Sequence, residues 1–495
     1  MQYNLENIIE KSGATGVSFD SQKVRTGDIF VAIRGEKFDG NEFINEAIKA
    51  GAQIIISDIN PEAHRALSDN IQNKIIYVDN ARAALSMAAG FFFPKLPEHL
   101  IAVTGTNGKT SVASYCQQLF NLLAKNSCSI GTLGVQCTPF IPGILPANNN
   151  LTTADPLRLR QILHLLTEHN INYVAFEASS HGLEQERIKG IKINAAAFTS
   201  FSHEHLDYHK TMDNYLKSKL KLFTDNLLPG GCAVISSEIG EFDFIKKFLS
   251  NYRIEIIKVG KSGDIKINST QQSIHGQKIN FSFNGNDYSF DTKIIGSFQA
   301  SNLLIAAMLV HKVGFAFHEI IKVLPQVIAV KGRLERVTAS DHPFHIFVDY
   351  AHTPDSLASS LGELKKILTL GGKLQVLFGC GGDRDKAKRP VMGEIAAKVA
   401  DSVVITDDNP RTEDASLIRQ AIMSGCYRAS LRDNIIEIPG RRNAINSAIK
   451  CLKNGDILLI AGKGHEDYQI IGNNSLPFSD VEVATLAIKE INEDI

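Results

Sequence analysis

The stretch Leu100-Ile101-Ala102-Val103-Thr104-Gly105-Thr106-Asn107-Gly108-Lys109-Thr110-Ser111 joins an apolar run to the amphipathic run that follows it. This order predicts a strand, a phosphate-binding loop and a helix. Gly105 and Gly108 let the backbone turn tightly and bring its N–H groups close to a phosphate, which also faces the positive end of the helix dipole. Lys109 would neutralise phosphate charge, and Thr110 or Ser111 can place a hydroxyl on the Mg²⁺ of a nucleoside triphosphate.

The spacing of this loop departs from the common P-loop, which has a glycine five residues before Gly108, where this chain has Val103. A shortened variant is therefore implied. The alternative is a glycine-rich turn with an exposed lysine. Strand, loop, Gly-Lys-Thr and helix occur in the order that phosphate binding needs, and this favours the phosphate loop.

Length and composition are those of an ordinary globular protein with no bulk attraction to nucleic acid or anionic membranes. The chain has 495 residues, of which 44% are hydrophobic and 21% charged, and its net charge is −1. The first residues lack a basic region followed by an apolar run, and no stretch approaches the roughly 18 apolar residues of a membrane span. We expect a cytoplasmic monomer whose partners are small molecules. Its seven cysteines are scattered and never spaced Cys-x-x-Cys, which predicts reduced thiols.

Three regions with different patterns predict an α/β protein of three domains. Residues 1–97 combine short strands, turns and a helix-like segment at 41–50, and predict a small α/β domain. Residues 98–329 predict a central P-loop-like domain with a mostly parallel sheet, and residues 330–495 predict a Rossmann-like doubly wound domain. The strongest predicted strands cover residues 100–103, 173–176, 195–198, 232–236, 346–349, 374–378, 402–406 and 457–461.

Polar residues follow two of the central strands, where the ligands of parallel sheets bind. Glu177 ends one strand, and His205 lies just after another. With Lys109 nearby, they predict a site for a second Mg²⁺ or Mn²⁺. The alternatives are a hydrogen-bonded histidine, or a zinc cluster of His203, His205 and His209 that lacks a clear fourth ligand.

Four strands of the third region also run into polar loops, which begin at Asp349, Gly379, Asp408 and Gly462 and together predict one binding face. The segment Asp408-Asn409-Pro410-Arg411 can be explained as a turn that caps the following helix. That explanation does not account for an arginine at a helix start, where the dipole disfavours cations unless an anion is held there. With Arg384 in a neighbouring loop, the pattern predicts carboxylate binding.

Seven motifs in this order make the chain similar to the Mur ligases over nearly its whole length. They are Gly105-Thr106-Asn107-Gly108-Lys109-Thr110, Glu177-Ala178-Ser179-Ser180-His181-Gly182-Leu183, His205-Leu206-Asp207-Tyr208-His209, Asp349-Tyr350-Ala351-His352-Thr353-Pro354, Gly381-Gly382-Asp383-Arg384-Asp385-Lys386, Asp408-Asn409-Pro410-Arg411 and Ala461-Gly462-Lys463-Gly464-His465-Glu466. The resemblance implies a UDP-sugar domain at 1–97, an ATP-binding domain at 98–329 and an amino-acid domain at 330–495.

The resemblance also implies the reaction and its site residues. An ATP-dependent amide ligase of peptidoglycan synthesis would attach an amino acid to the D-Glu γ-carboxylate of UDP-MurNAc-L-Ala-D-Glu. ATP would contact Gly105, Thr106, Asn107, Gly108, Lys109, Thr110, Ser111, Asn302, Arg333 and Asp349. The UDP-dipeptide would contact Asp20, Ser21, Glu36, Lys37, Phe38, Thr152, Thr153, Ser179, Gln185 and Arg187.

Lys219 matches the lysine that similar enzymes carry as a carbamate, N6-carboxylysine. CO₂ adds only to a neutral amine, and the product is an anion that can bind Mg²⁺. The resemblance thus implies a metal site of Thr110, Glu177, His205 and Lys219, with Lys109 beside it. Lys217 and Lys221 lie close in sequence, and a solvated helix lysine is the alternative.

Arg411 implies the choice of amino acid, since Asp-Asn-Pro-Arg resembles the signature of Mur ligases that add meso-diaminopimelate. Its second carboxylate would pair with Arg411, and L-lysine, which lacks it, would leave a buried guanidinium unpaired. The remaining contacts to this amino acid would come from Arg384, Asp408, Asn409, Pro410, Gly462 and Glu466.

Rival interpretations are the same ligase using L-lysine, a folylpolyglutamate-type ligase, and a P-loop ATPase coupled to a protein partner. The chain also departs from the family pattern at three places, and the adenine contacts are left open by these changes. The departures are His203-Glu204, Gly296-Ser297-Phe298-Gln299 and Ser236-Ser237-Glu238.

Overall fold

The computed structural model describes residues 5–35, 38–64, 67–144, 151–429 and 434–493. Two compact units make up the chain. The first contains Met1–Gly263 and Ile305–Val323, and the second contains Asp264–Leu304 and Leu324–Ile495. The predicted domain boundaries at 97 and 329 stay a prediction.

The helices in the described ranges are α1 (Leu5–Ser12), α2 (Ile44–Lys49), α3 (Asp69–Gln72), α4 (Ala81–Phe92), α5 (Lys109–Leu122), α6 (Pro156–Glu168), α7 (Ser180–Glu184), α8 (Leu206–His209), α9 (Met212–Lys221), α10 (Phe242–Leu249), α11 (Ser297–Lys312), α12 (Phe317–Val323), α13 (Pro354–Ile367), α14 (Lys388–Val399), α15 (Ala415–Arg428), α16 (Arg441–Lys450) and α17 (Asp480–Glu493). Short 3₁₀ turns cover Ser21–Lys23, Gly40–Phe43, Pro61–His64 and Leu324–Gln326, and a π turn covers Leu222–Asn226. Within the described ranges, no helix combines the length and the apolar character that crossing a membrane requires.

The strands are β1 (Gly16–Ser18), β2 (Asp28–Ala32), β3 (Ile54–Ser57), β4 (Ile75–Tyr77), β5 (His99–Thr104), β6 (Ser127–Gly131), β7 (Gly134–Thr138), β8 (Tyr173–Glu177), β9 (Ile193–Phe198), β10 (Leu227–Ser236), β11 (Glu255–Gly260), β12 (Ile265–Ser273), β13 (Gly276–Phe283), β14 (Asn286–Thr292), β15 (Glu335–Arg336), β16 (His345–Asp349), β17 (Leu374–Phe378), β18 (Ser402–Ile405), β19 (Ile435–Glu437), β20 (Ile457–Ala461), β21 (Tyr468–Ile471) and β22 (Asn474–Pro477). These bounds lie within a few residues of each predicted strand except the 232–236 segment, which extends back to Leu227.

The first unit begins with a small parallel sheet in the order β1-β2-β3-β4. The buried strand β2 supplies Ile29 and Val31 to one apolar cluster and Phe30 and Ala32 to the other, so both faces of the sheet are covered. The helix predicted at 41–50 is shorter than expected. Its start is a 3₁₀ turn because the Asp39 carboxylate accepts hydrogen bonds from the backbone N–H and the side-chain amide of Asn41.

The larger sheet of the first unit follows the order β11-β10-β9-β5-β8-β6-β7, and every pair is parallel except the hairpin β6–β7. The central strand β5 is buried, as the continuous apolar run 100–103 predicted. Val103 pairs with Glu177 of β8, and Thr104 pairs with Phe198 of β9. The carboxyl ends of β9, β5 and β8 therefore lie side by side, with the phosphate loop in the middle.

The second unit contains an antiparallel meander, β12–β13–β14, that the sequence patterns did not reveal. Its main sheet follows the order β15-β16-β20-β17-β18-β19 and is parallel apart from β15. Alternate residues of β20 point to opposite faces: Leu459 joins the cluster under α13, α14 and α15, whereas Leu458 and Ile460 join the cluster under α16 and α17. The predicted doubly wound arrangement is confirmed.

The cysteines are all free, and five of them are buried. This agrees with the expected reduced thiols, and the buried cysteines pack in the core as small apolar side chains.

A buried ion pair ties the helices of one face of this unit to its sheet. Arg441, 1% exposed, donates to both carboxylate oxygens of Asp480 at 2.7 Å and to the carbonyl of Ala461 at 2.9 Å. Arg441 begins α16, Asp480 begins α17, and Ala461 ends β20. The pair therefore holds the start of the Gly462 loop against two helices.

We expect Arg441→Met to lower the free energy of unfolding by about 3–5 kcal/mol, because it leaves the Asp480 carboxylate buried without its partner. Urea unfolding measures the change. The control is Lys365→Met, which removes an exposed ion pair with Asp401 and should cost under about 1 kcal/mol. Equal effects of the two variants would contradict the importance of the buried pair.

Candidate active site

The predicted phosphate loop lies between β5 and α5. Gly105 has φ 149° and Gly108 has φ 88°, and a Cβ atom on Gly105 would collide with the hydroxyl of Thr199. Glycine is therefore required at position 105 for packing as well as for conformation. The amine of Lys109 donates to the carbonyl oxygens of Gly105 and Thr106 at 2.8 Å, so it lies over the loop.

The loop is held by the segment that follows β9. Thr106 N–H donates to the Ser200 carbonyl, and Asn107 N–H donates to the Ser200 hydroxyl, both at 2.8 Å. The hydroxyls of Thr106 and Tyr215 lie 3.1 Å apart. Ser111 is 3% exposed and lies in the first turn of α5. The loop is thus tied to the β9 end, on which His205 was predicted.

Glu177 is 2% exposed, and its carboxylate accepts three hydrogen bonds. Thr110 donates its hydroxyl at 3.1 Å, and Thr132 donates its backbone N–H at 2.7 Å and its hydroxyl at 3.2 Å. A side chain on Gly131 would collide with this carboxylate. Thr132 was missed in the sequence, although the Gly-Thr-Leu-Gly turn between two short strands was a usable signal.

Five residues predicted to hold the UDP-dipeptide form one connected network beside Glu177. The Thr153 hydroxyl donates to the Glu177 carbonyl at 2.9 Å and accepts the Ser179 N–H at 2.8 Å. Arg187 donates to the Thr153 carbonyl at 2.6 Å and to Gln185 Oε1 at 2.8 Å. The fifth residue, Thr152, joins the network through Thr132: the two hydroxyl oxygens lie 3.4 Å apart, and the Thr132 hydroxyl donates to Glu177.

The other part of the predicted UDP site is less connected. Asp20 accepts the Gln22 N–H at 3.1 Å, and the Ser21 hydroxyl donates to Glu46 at 3.1 Å. A cleft of about 920 Å³ includes Asp20 and Leu151, the neighbour of Thr152, in its wall. Phe38 is 70% exposed, and Glu36 and Lys37 lie outside the described residues.

Lys219 differs from the two lysines near it in sequence. It is 1% exposed on α9, with its amine 4.4 Å from the centre of the Tyr215 ring. Lys217 is exposed, and the amine of Lys221 lies 3.0 Å from the Glu184 carboxylate. Burial lowers the pKa of Lys219 well below its ordinary value, and the charge of Lys109 lowers it further. Lys219 is thus the lysine of this helix that favours a neutral amine.

His205 lies in the same electrostatic neighbourhood. It has φ 56°, a left-handed conformation that is uncommon outside glycine, and precedes α8. Its side chain is 42% exposed, and partial burial lowers its pKa, with smaller contributions from the neighbouring His181, Lys109 and Lys219. A neutral imidazole is the form that binds metal ions.

The predicted metal ligands have a donor set suited to Mg²⁺. Within the described ranges, no three His, Cys, Asp or Glu side chains lie close enough together to form a metal site. The predicted set contains two such residues, Glu177 and His205, and therefore depends on the Thr110 hydroxyl and on a carboxylated Lys219. With these, oxygen donors dominate, and they fit a hard cation.

In the second unit, the side chains of two arginines predicted to bind a carboxylate both lie near Gly381. A Cβ atom placed on Gly381 would lie 2.9 Å from Nη1 of Arg411 and 3.6 Å from Cγ of Arg384. Arg411 has φ 52°, and its guanidinium donates to the Gly382 carbonyl at 2.8 Å. A left-handed backbone conformation is strained for an arginine, and strained residues of this kind are often found in binding sites.

The remaining residues predicted for the amino acid lie beside this pair. Asn409 donates its side-chain amide to the Glu466 carboxylate at 3.0 Å. Asp408 and Pro410 are buried, and a Cβ atom placed on Gly462 would lie 2.6 Å from the Asp408 carboxylate, which closes the space beside this glycine. The loops after β18 and β20 therefore meet, as four strand ends at one sheet edge predicted.

The three nucleotide residues predicted outside the phosphate loop all lie in the second unit. Asn302 donates its amide to Gln299 Oε1 at 3.0 Å, and Arg333 lies 4.5 Å above the ring of Tyr350. The Asp349 carboxylate accepts the backbone N–H groups of Leu334 and Ala351 at 2.9 and 2.8 Å. Burial raises the pKa of Asp349 to about 6.

Three family models match consecutive parts of this chain. The Mur ligase family catalytic domain matches residues 14–93, the Mur ligase middle domain matches residues 103–310, and the Mur ligase glutamate ligase domain matches residues 332–464.

Curated relatives are similar over the full length. UDP-N-acetylmuramoyl-L-alanyl-D-glutamate--2,6-diaminopimelate ligase of Rickettsia conorii is 50% identical over 492 residues, covering 99% of both chains. The enzyme of that name from Zymomonas mobilis is 42% identical and covers 96% of this chain and 94% of its own. A solved structure with the same name has a TM-score of 0.67 at 31% identity, covering 97% and 95% of the two chains. The chain belongs to the Mur ligase family.

Proposed function

We propose that this chain is an ATP-dependent ligase that adds meso-2,6-diaminopimelate to the D-Glu γ-carboxylate of UDP-MurNAc-L-Ala-D-Glu. The names of full-length relatives at 50% identity support this substrate pair. The observation that carries the proposal is the position of the Arg411 guanidinium and of the Arg384 side-chain stem next to Gly381, in loops that also hold Asn409 and Glu466. Two guanidinium groups, an amide and a carboxylate suit an amino acid that has two carboxylates and two amines.

The ATP phosphates would lie on the loop between β5 and α5. Backbone N–H groups at the start of α5 and the amine of Lys109 would neutralise the phosphate charge. Hydrogen bonds to Ser200 hold the loop backbone at Thr106 and Asn107 in place before the substrate arrives. Asn302, Arg333 and Asp349 are the proposed nucleotide residues of the second unit.

Thr110, Glu177, His205 and carboxylated Lys219 are the proposed ligands of Mg²⁺, which supplies charge neutralisation for the transferring phosphoryl group. The hydrogen bonds from Thr132 fix the orientation of the Glu177 carboxylate, which has little freedom to rotate. Burial of the Lys219 amine favours its neutral form. The neutral amine can add CO₂ with formation of an N–C bond and release of one proton, and the product is an anion.

The UDP-dipeptide would place its D-Glu carboxylate beside this site. Thr152, Thr153, Ser179, Gln185 and Arg187 are its proposed contacts, and their connection to Glu177 supports a position near the phosphoryl group. Asp20, Ser21, Glu36, Lys37 and Phe38 are proposed for the uridine end.

The reaction would proceed in two balanced steps. A γ-carboxylate oxygen attacks the γ-phosphorus of ATP, so the bond from that phosphorus to the ADP oxygen breaks and an acyl phosphate forms. A diaminopimelate amine then attacks the acyl carbon, phosphate leaves with the former carboxylate oxygen, and the nitrogen loses a proton. Lys109 would balance charge in the first step, and Arg411 and Arg384 would orient the amine in the second.

The first test is phosphate release from ATP and Mg²⁺ with UDP-MurNAc-L-Ala-D-Glu, adding meso-diaminopimelate or L-lysine in parallel. We expect turnover only when the UDP-dipeptide and diaminopimelate are both present. Turnover with the UDP-dipeptide and L-lysine, but not with diaminopimelate, would overturn the proposed choice of amino acid. ATP hydrolysis that ignores both substrates would instead favour an ATPase coupled to a protein partner.

We expect Arg411→Met to lower kcat/KM for diaminopimelate at least about thirtyfold, because the loss of one partner of a desolvated charge pair costs about 2–5 kcal/mol. Arg428→Met removes an exposed arginine of the same unit and should change kcat/KM less than twofold. Similar losses in both variants would remove Arg411 from the substrate contacts.

The carbamate on Lys219 can be observed directly. Protein equilibrated with ¹³C-bicarbonate should show a carbamate ¹³C signal that is absent in Lys219→Met and retained in Lys217→Met. Exposed Lys217 is the matched control on the same helix. A signal that persists in Lys219→Met would contradict the assignment.

Thr132→Val tests the support of Glu177, because it removes the hydroxyl donor and keeps the backbone N–H donor. We expect the Mg²⁺ concentration for half-maximal activity to rise about tenfold, the size of effect usual for partners of metal ligands. Thr132→Ser retains the hydroxyl and should stay within about twofold of the parent. No difference between the two variants would contradict a positioning role.

A further inference from the structure

Lys463 is a fully buried lysine in the loop that follows β20. Its side chain is 0% exposed, and its amine donates to Glu466 Oε2 at 2.8 Å and to Asn409 Oδ1 at 3.2 Å. The ring of Tyr468 lies 5.5 Å from the same amine. A buried ammonium group is stabilised only by such partners, because desolvation alone would disfavour its charge.

The contacts of Lys463 determine which way the Asn409 amide faces. An ammonium group and a backbone N–H can only donate, and both the Lys463 amine and the Ile470 N–H, at 2.9 Å, meet the same Asn409 atom. That atom must be the amide oxygen. The amide nitrogen is therefore directed at Glu466 Oε2, at 3.0 Å.

The network also sets the orientation of the Glu466 carboxylate. Both the Lys463 amine and the Asn409 amide donate to Oε2, which leaves Oε1 and the second amide hydrogen of Asn409 for other partners. An acceptor oxygen and a donor N–H on these two neighbouring side chains match the ammonium and carboxylate groups of an amino acid.

We propose that Lys463 is a positioning residue for the incoming amino acid, which orients Asn409 and Glu466 without contacting the substrate itself. The inference rests on the proposed function, because that function assigns Asn409 and Glu466 to diaminopimelate. Lys463 joins these residues across two loops, the Asp408 loop after β18 and the Gly462 loop after β20. Its loss should therefore weaken amino-acid binding and leave the ATP and UDP-dipeptide contacts unchanged.

The test compares Lys463→Met, Glu466→Gln and the double variant with the parent protein. Lys463→Met keeps most of the side-chain volume and removes the charge. We expect a rise of at least tenfold in KM for diaminopimelate and changes of less than twofold in KM for ATP and for the UDP-dipeptide. In the Glu466→Gln background, Lys463→Met should add less than a further threefold, because its effect acts through Glu466.

Lys365→Met is the control, since this lysine has an ion pair of similar length, with Asp401 at 2.6 Å, on the surface of the same unit. It should leave all three KM values unchanged. If Lys463→Met fails to fold, Lys463→Gln retains an uncharged donor group, and a rise in KM for diaminopimelate that is smaller than for Glu466→Gln, with the other two KM values unchanged, is then expected.

An equal rise of all three KM values would overturn the positioning role, because it indicates general damage to the fold. Full multiplication of the two single effects in the double variant would also overturn it, because it places Lys463 and Glu466 in independent roles. A parent protein without diaminopimelate-dependent turnover would overturn the proposed function together with this inference, whereas an active parent with an unaffected Lys463→Met would overturn this inference alone.

Discussion

The buried carboxylate of Glu177 is the interaction on which the first unit's site depends. A carboxylate that is 2% exposed must have hydrogen-bond donors, and here they come from two different elements. Thr110 belongs to the phosphate-loop helix and Thr132 to the β6–β7 hairpin. The Glu177 backbone carbonyl adds Thr153, which begins the proposed dipeptide network. The hydrogen bonds of Glu177 therefore bring the phosphate loop and the residues proposed to bind the UDP-dipeptide next to this proposed metal ligand.

The proposed site of the second unit also depends on buried charged side chains that are paired. Its parallel strands β16, β20, β17 and β18 end at one edge, and their loops carry both cations and carboxylates. The buried ion pair of Arg441 and Asp480 holds the end of β20 against α16 and α17. Within the loops, Lys463 forms an ion pair with Glu466. Arg411 is held in a left-handed conformation, with its backbone N–H donating to the Ile470 carbonyl at 3.1 Å. The hairpin β21–β22 thus takes part in shaping the proposed amino-acid site.

The sequence allowed the class of fold to be predicted, because apolar runs such as 100–103 and 457–461 form strands that are buried on both faces. The roles of the site residues stay a prediction. The sequence did not reveal the meander β12–β14, whose strands alternate buried residues such as Ile279 and Phe281 with polar ones and resemble loops. Thr132 and Lys463 were also missed, since their roles come from contacts between distant segments. The positive φ angles of His205 and Arg411 have no local signal in residues other than glycine.

The central claim is that ATP activates the D-Glu carboxylate as an acyl phosphate. The most direct measurement uses UDP-MurNAc-L-Ala-D-Glu with ¹⁸O in the γ-carboxylate, followed by mass spectrometry of the released phosphate. Transfer of a carboxylate oxygen to phosphorus would place one ¹⁸O atom in each phosphate formed from doubly labelled substrate. Phosphate without the label, released at the rate of ADP formation, would show that water attacks ATP and would contradict ligation through an acyl phosphate.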